Sequence, residues 1–361
     1  MEKLGTTPVT LVDMARHLNL SPSAVSQALR PTQTSTTKVS ETTVQAVREL
    51  AEKWNYRPNS SARRMKGQAA QQAGFILEYR FENRTIPWVD MPAVLGVSDY
   101  LMAHQWHLNI IQHERDRTIP KQLPHFLQDN SLDGVILASS GLERDEVVLR
   151  DLKKCRVPAV LLNGVGERNA VVLDDALGET MATQHLLDLG HQKIVFISSL
   201  DGNPMWATLR EQAYIATMKK AGLTPQVWIY SIPQAGLSEP EAMRHHVNEL
   251  RKKEFYYDLY MPQKPTALVC VQDIDALRLS QMLLQKGVRI PEDISIVGYD
   301  DLPYLDLHFP PLTTVRSNFY EMGKCAAEML LNLIKNKVAT LPAVTIKPEL
   351  IVRQSTAAPR R

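Results

Sequence analysis

Ser23 and Gln27 stand four residues apart in the stretch "NLSPSAVSQALR", residues 19–30. On a helix that spacing places both on one face. The chemistry they offer is recognition by hydrogen bonds. A Gln amide donates and accepts side by side, which matches the major-groove edge of adenine. The Ser26 hydroxyl suits a phosphate oxygen, and Pro22 fits a first helical position, where its missing N–H costs nothing. Val25, Ala28 and Leu29 are left to anchor the helix to a core.

The elements that must position this helix are legible around it. Thr10 reads as an N-cap, with Asp13 reaching back as in a capping box. Val12, Ala15 and Leu18 give that first helix an inward face. Asn19 can take the left-handed conformation that ends it, and Ser21 caps the helix that follows. A third helix starts at Ser40 and carries Val44, Val47, Leu50, Ala51 and Trp54 on one side. Two short helices joined by a tight turn, with a third closing the core, form a helix-turn-helix pattern. In that pattern the second helix enters the major groove of DNA. Charge agrees: residues 1–67 hold ten Lys/Arg against five Asp/Glu, whereas the rest holds 31 against 34. A basic N-terminal piece on a mildly acidic body suits a polyanion partner for that piece alone.

Other chemistries find little support. Cys155, Cys270 and Cys325 lie far apart, with no CxxC pair and no metal spacing. A reduced, cytoplasmic setting is expected, and neither a metal nor a cofactor. There is no P-loop, no GxSxG and no GxGxxG opening a βαβ unit; "GVGERN" at 164–169 lacks the third Gly spacing. His245 and His246 form an isolated pair on a polar stretch and read as solvated. No apolar run approaches a membrane span, and "MEKLGTTPVT" lacks the apolar core of a signal peptide.

The stretch "VTLVDMARHLNLSPSAVSQALR … VSETTVQAVRELAEKWNYRPNSSARRMK" resembles the DNA-binding headpiece of the lactose/galactose-repressor (LacI/GalR) family. The resemblance rests on Thr10/Asp13/Ala15, Val25/Ser26, Val39/Ser40/Thr43 and Tyr56/Pro58/Asn59/Ala62/Arg63. The chain departs from the pattern at Asn19, where a Gly is usual, and at Ala24, where a Thr is usual. The resemblance implies that Thr10, Pro22, Ser23, Ser26 and Gln27 lie on the DNA side. It also implies that Asn59–Lys66 is a hinge helix. Asn59 would cap it and Gly67 stop it, and eight residues are too few to hold a helix alone in water. Met65 would then wedge into a central base step of the minor groove, with Arg63, Arg64 and Lys66 on phosphates or the groove floor.

From Ala73 onward the pattern changes. Apolar runs ("GFIL", "HLNII", "DGVILA", "PAVLLN", "KIVFIS", "TALVCV", "ISIVGYD") alternate with helical stretches near 91–104, 179–189, 208–221, 275–286 and 320–335. Such alternation argues for parallel sheets covered on both faces. Segments between Leu132 and Val352 resemble the family's body, which resembles a periplasmic sugar-binding protein of two doubly wound lobes. The expected organisation is an all-α headpiece at 8–58, a hinge helix or linker at 59–68, and an α/β effector-binding and dimerisation domain at 69–361. Carried over one at a time, the resemblance places Asn163, Arg210, Gln272 and Asp300 at the effector, while Trp206 and Trp88 are candidates to stack on a sugar face. Polar groups at strand ends are where a sugar finds paired partners. Asp273 and Asp301 are expected to cap the helices that follow them.

The resemblance implies a ligand-responsive regulator of the repressor type, working as a homodimer on a near-palindromic operator and released or recruited by a small molecule, most simply a sugar. No heptad run follows "PELIVRQSTAAPRR", which favours a dimer over a coiled-coil tetramer. A solute-binding protein would have an export signal and no helix-turn-helix. An enzyme on the same α/β fold would carry one of the motifs found missing.

Overall fold

The computed structural model describes residues 9–29, 39–56, 70–79, 90–114, 131–138, 150, 152–163, 168–198, 205–229 and 264–360. The chain divides into two compact units, Met1–Ala70 and Gln71–Arg361.

In the first unit, α1 spans Leu11–His17, α2 spans Pro22–Ala28 and α3 spans Glu41–Lys53. The capping box forms as read: the Thr10 Oγ1 accepts from the Asp13 amide at 3.2 Å, and the Asp13 carboxylate accepts from the Thr10 amide at 2.9 Å. The hydrogen bonds from Thr10 hold the Asp13 carboxyl below the usual range. Asn19 is left-handed, at φ 53°. Met14, Ala15, Val25, Ala28, Val47 and Leu50 form the core of this unit. One expectation fails. Val12 is 51% exposed, and Met14 is buried in its place. Leu11, Met14, Ala15 and Leu18 complete a stripe at helical spacing, and Val12 sits about 100° off it.

Among the described residues the second unit holds two six-stranded sheets. The first, in the order β11-β5-β4-β3-β1-β2, uses β1 (Gln72–Tyr79), β2 (His107–Glu114), β3 (Gly134–Ala138), β4 (Ala159–Leu162), β5 (Ala170–Leu173) and β11 (Val344–Ile346). The second, in the order β12-β10-β9-β8-β6-β7, uses β6 (Ile194–Ser198), β7 (Gln226–Ile229), β8 (Ala267–Cys270), β9 (Ser295–Asp300), β10 (Thr313–Arg316) and β12 (Glu349–Ile351). Pairing is parallel throughout except for β12 against β10. The apolar runs were legible because these strands are buried on both faces. The four-residue β5, β7 and β10 and the three-residue β11 and β12 were not; strands so short leave no periodic signal, and the equally short β4 and β8 were found only as apolar runs.

Among the described residues five further helices cover the sheets: α4 (Asp90–Ala103), α5 (Asp175–Asp188), α6 (Met205–Lys220), α7 (Asp273–Gln285) and α8 (Phe319–Asn336). Helix α8 follows a strand of the second sheet but packs on α4 and on β3, β4 and β5 of the first. Helix α5 follows a strand of the first sheet but packs on α6 and the second. The chain therefore crosses between the lobes three times, at 173–175, 316–319 and 346–349. Each crossing leaves the carboxyl end of a strand, β5, β10 or β11. That brings the carboxyl edges of the two sheets to the same place, where ligands of such sheets bind.

Candidate functional site

In the first unit, Ser21 caps α2 by accepting from the Ala24 amide at 3.1 Å. Pro22 and Ser23 are exposed, while Ser26 and Gln27 are half-buried on the flanks of the helix. The anchors expected of Val25, Ala28 and Leu29 hold: the first two are fully buried and Leu29 packs against the core. The first turn of α2 is thus a polar, outward-facing surface on a small fixed scaffold. Asn59, Arg63, Arg64, Met65 and Lys66 lie outside the described residues, as does Trp88.

In the second unit the chemistry concentrates on Arg210. It lies in the second turn of α6, not at a strand–helix junction, and is only 2% exposed. Its Nε donates to the Asp175 carboxylate at 2.7 Å and its Nη1 to the Val271 carbonyl at 2.6 Å. Its Nη2 lies 3.5 Å from Asp300. The guanidinium also lies over two aromatic rings, 3.5 Å from the centre of Tyr299 and 4.6 Å from that of Trp206. Burial works against its charge, but Asp175 and Asp300 outweigh it and raise its pKa. Asp175 opens α5 just past the end of β5, Val271 follows β8, and Asp300 ends β9. One arginine therefore joins the carboxyl edges of both sheets.

Around it sit acids under strain of burial. Desolvation pushes the Asp300 carboxyl up to about 6, against the pull of Arg210. Asp175 is raised for the same reason. Glu179, one turn further along α5, is fully buried and pushed up to about 8, although the Thr183 hydroxyl donates to it at 2.9 Å. Asp300 also accepts from the Ser317 hydroxyl at 3.3 Å.

Of the expected effector residues, Trp206, Arg210 and Asp300 come together here. Gln272 is the N-cap of α7, half-buried, and its side chain makes no capping bond. Asn163 stands at the carboxyl end of β4 in the other lobe, left-handed at φ 58°. Asp273 and Asp301 do not cap helices. Asp273 is buried at the start of α7 and accepts from the Thr314 hydroxyl at 2.6 Å and the Leu302 amide at 2.9 Å. Asp301 is held by two arginines, and no helix follows it before α8. Asp175, Glu179, Tyr299 and Ser317 were not anticipated. The doubled Asp174-Asp175 after an apolar run, matching Asp300-Asp301, is the one signal that pointed to the first of them.

A family model described as a periplasmic binding protein-like domain matches residues 183–356. The HTH-type transcriptional repressor PurR of Haemophilus influenzae (strain ATCC 51907 / DSM 11121 / KW20 / Rd) is 29% identical over 352 residues, covering 96% of this chain and 98% of that protein. Among solved structures, the lac repressor dimer bound to operator and the anti-inducer ONPF matches with a TM-score of 0.76 at 22% identity, over 98% of this chain and 100% of that one. The complex of the transcriptional regulator CelR with cellobiose matches with a TM-score of 0.62 at 23% identity, over 96% and 99%. Both structural likenesses are of fold.

Proposed function

The chain belongs to the LacI/GalR family of transcriptional regulators, and from that premise we propose how it works: as a homodimer that holds a near-palindromic operator through α2 and is switched by an uncharged sugar bound between the two lobes. It is a DNA-binding regulator under ligand control, of the repressor type, and not an enzyme. Among the described residues no helix is long and apolar enough to cross a membrane. A regulator that works on DNA acts in the cytoplasm.

The observation that carries the ligand reading is the Arg210 cluster where the two carboxyl edges meet. Arg supplies a fork of donors and Asp300 accepts two hydroxyls, a set that suits neighbouring hydroxyls of a sugar ring. Asp175 and Asp300 already balance the guanidinium charge, so this corner offers an anionic ligand no net attraction. That supports a neutral polyol over a phosphorylated one. Trp206, half-buried beside Arg210, is placed to cover a sugar face, with Gln272 and Asn163 as further polar contacts. On the DNA side Pro22, Ser23 and Gln27 read bases, Thr10 and Ser26 position the backbone, and Asn59, Arg63, Arg64, Met65 and Lys66 form the hinge contact. The domains divide at 8–58, 59–68 and 69–361. For dimerisation, α4 exposes Met91, Leu95 and Met102, and the loop after β9 exposes Tyr304, Leu307 and Phe309. Apolar groups this exposed suit burial against a second copy.

A ligand held by both lobes binds one arrangement of them better than another, and only that difference can change the hold on DNA. A coupling of about 1–3 kcal/mol alters operator affinity roughly 5- to 150-fold. The test is fluorescence anisotropy of the full chain on a site chosen by binding selection, titrated with a sugar panel. Asp300→Ala is expected to keep operator affinity and lose the response. A monomer with no preferred DNA sequence overturns the regulator reading. A response to a purine or a phosphorylated sugar, with none to neutral sugars, overturns the ligand class.

A further inference from the structure

Asp300 and Asp301 close β9 as two successive non-glycine residues at positive φ, 114° and 56°. Such backbone is strained at an L residue and persists only where the surroundings over-determine it. The two carboxylates are held by different partners. Asp300 meets Arg210 and Ser317, in the site described above. Asp301 takes no part in that site. Its Oδ2 accepts from the Arg316 Nε at 2.7 Å, and its Oδ1 accepts from the Arg353 Nη2 at 2.7 Å. Arg353 is itself fixed by donating from Nη1 to the Leu312 carbonyl at 2.8 Å.

Arg316 is the last residue of β10, in register with Asp300 on one side and Glu349 on the other. It stands where the second crossing leaves its lobe, and Glu349 stands where the third one enters. The Arg316 Nη1 reaches the Glu349 carboxylate at 3.3 Å. That last contact is exposed at both ends and contributes little by itself. The Asp301 carboxylate is different. It is nearly buried and shared between two arginines, so its loss removes a short ion pair from each of them at once.

We infer that Asp301 is a positioning residue for the ligand response: clamped by Arg316 and Arg353, it holds the left-handed turn that presents Asp300 to Arg210, and ties that turn to two of the three crossings between the lobes. The inference rests on the reading of Arg210 and Asp300 as effector-side groups. It adds a residue that does not touch the ligand, with a carboxylate joined to the crossing segments.

The experiment is a crystal structure of full-length Asp301→Asn beside the wild type, with amide hydrogen exchange of both in solution. Without the charge, Asp300 is expected to relax to negative φ and leave Arg210. Exchange in the peptides covering 313–320 should quicken about tenfold, with little change in the strands of the first sheet, since local openings follow local contacts. A merely stabilising ion pair would lower the melting temperature, raise exchange throughout the body and leave Asp300 on Arg210; that result overturns the inference. If Asp301→Asn does not fold, Arg353→Gln removes one clamp and keeps the carboxylate. Its exchange in the same peptides should quicken by a smaller factor, and unchanged exchange there also overturns the inference. Sugar-driven release of operator, measured on the same proteins, should weaken in Asp301→Asn. If no sugar acts on the wild type either, the ligand reading fails, while the Asp300 geometry and the exchange pattern still decide the role of Asp301.

Discussion

Replacing Glu179 by Gln should stabilise the protein at neutral pH, by an amount that grows with pH. Glu179 is 0% exposed, and its Oε2 has no hydrogen-bond partner among the described residues. Only Thr183 donates to the other oxygen. Burial is the largest influence on this carboxyl and lifts it from 4.5 to about 8. Below pH 4.5 the group is protonated in both folded and unfolded chains and has no effect on the balance. Between pH 4.5 and 8 the unfolded chain releases the proton and the folded one keeps it, so stability falls as pH rises. Each pH unit in that window costs about 1.4 kcal/mol, which gives roughly 3 kcal/mol at pH 7 and on the order of 5 kcal/mol by pH 8. Gln has the same shape and no proton to lose. It keeps the acceptor for Thr183, and its amide replaces a hydroxyl that also lacked a partner. Urea unfolding of both proteins at a series of pH values from 5 to 8, followed by tryptophan fluorescence, measures the difference. The other raised acids, Asp175, Asp273 and Asp300, are present in both proteins and drop out of it. A stability difference that stays flat over that range would refute the reasoning, because it would mean that Glu179 is ionised in the folded chain or meets a donor.

Two other substitutions test the scaffold and the DNA face. Gly323 in α8 faces the backbone of α4 so closely that an added Cβ would run into the Ala93 carbonyl, and Gly96 of α4 meets the Tyr320 carbonyl in the same way; Gly323→Ala is expected to cost about 1–3 kcal/mol in thermal or urea unfolding, and a variant as stable as the wild type would show that the helices can part freely. Gln27→Ala should change base preference at one position per half-site by roughly 1–3 kcal/mol in a binding-selection experiment, whereas equal loss on every sequence would make Gln27 a backbone contact.

Much was decided locally and could be read from the sequence. The capping box of Thr10 and Asp13, the left-handed Asn19, the Ser21–Pro22 start of α2 and the Ser40 cap each depend on residues within a few positions of one another. The polar first turn of α2 followed from them. The alternation of apolar runs with helical stretches was legible because strands buried on both faces need continuous apolar sequence. Arg210 and Asp300 were reached through family resemblance, not through spacing. What they do there was a tertiary decision. Arg210 turned out to be engaged by Asp175, by the Val271 carbonyl and by the Tyr299 ring, 35, 61 and 89 positions away in the chain numbering. No local rule reports that a charge will be balanced by a residue of another strand's end. The same holds for Asp273 and Asp301. Read locally, an Asp before a helix is a cap; in the folded chain the carboxyl edge of the sheet offered Thr314, Leu302, Arg316 and Arg353, which are better partners than a helix end exposed to water. Val12 shows the limit on a smaller scale, since three residues spaced for a helical face left open which stripe would turn inward until α2 and α3 packed against it. Local sequence fixes caps, turns and periodicity because their energies arise within a turn or two; the pairing of buried charges waits for the fold, because it depends on which distant strand ends the chain crossings bring together.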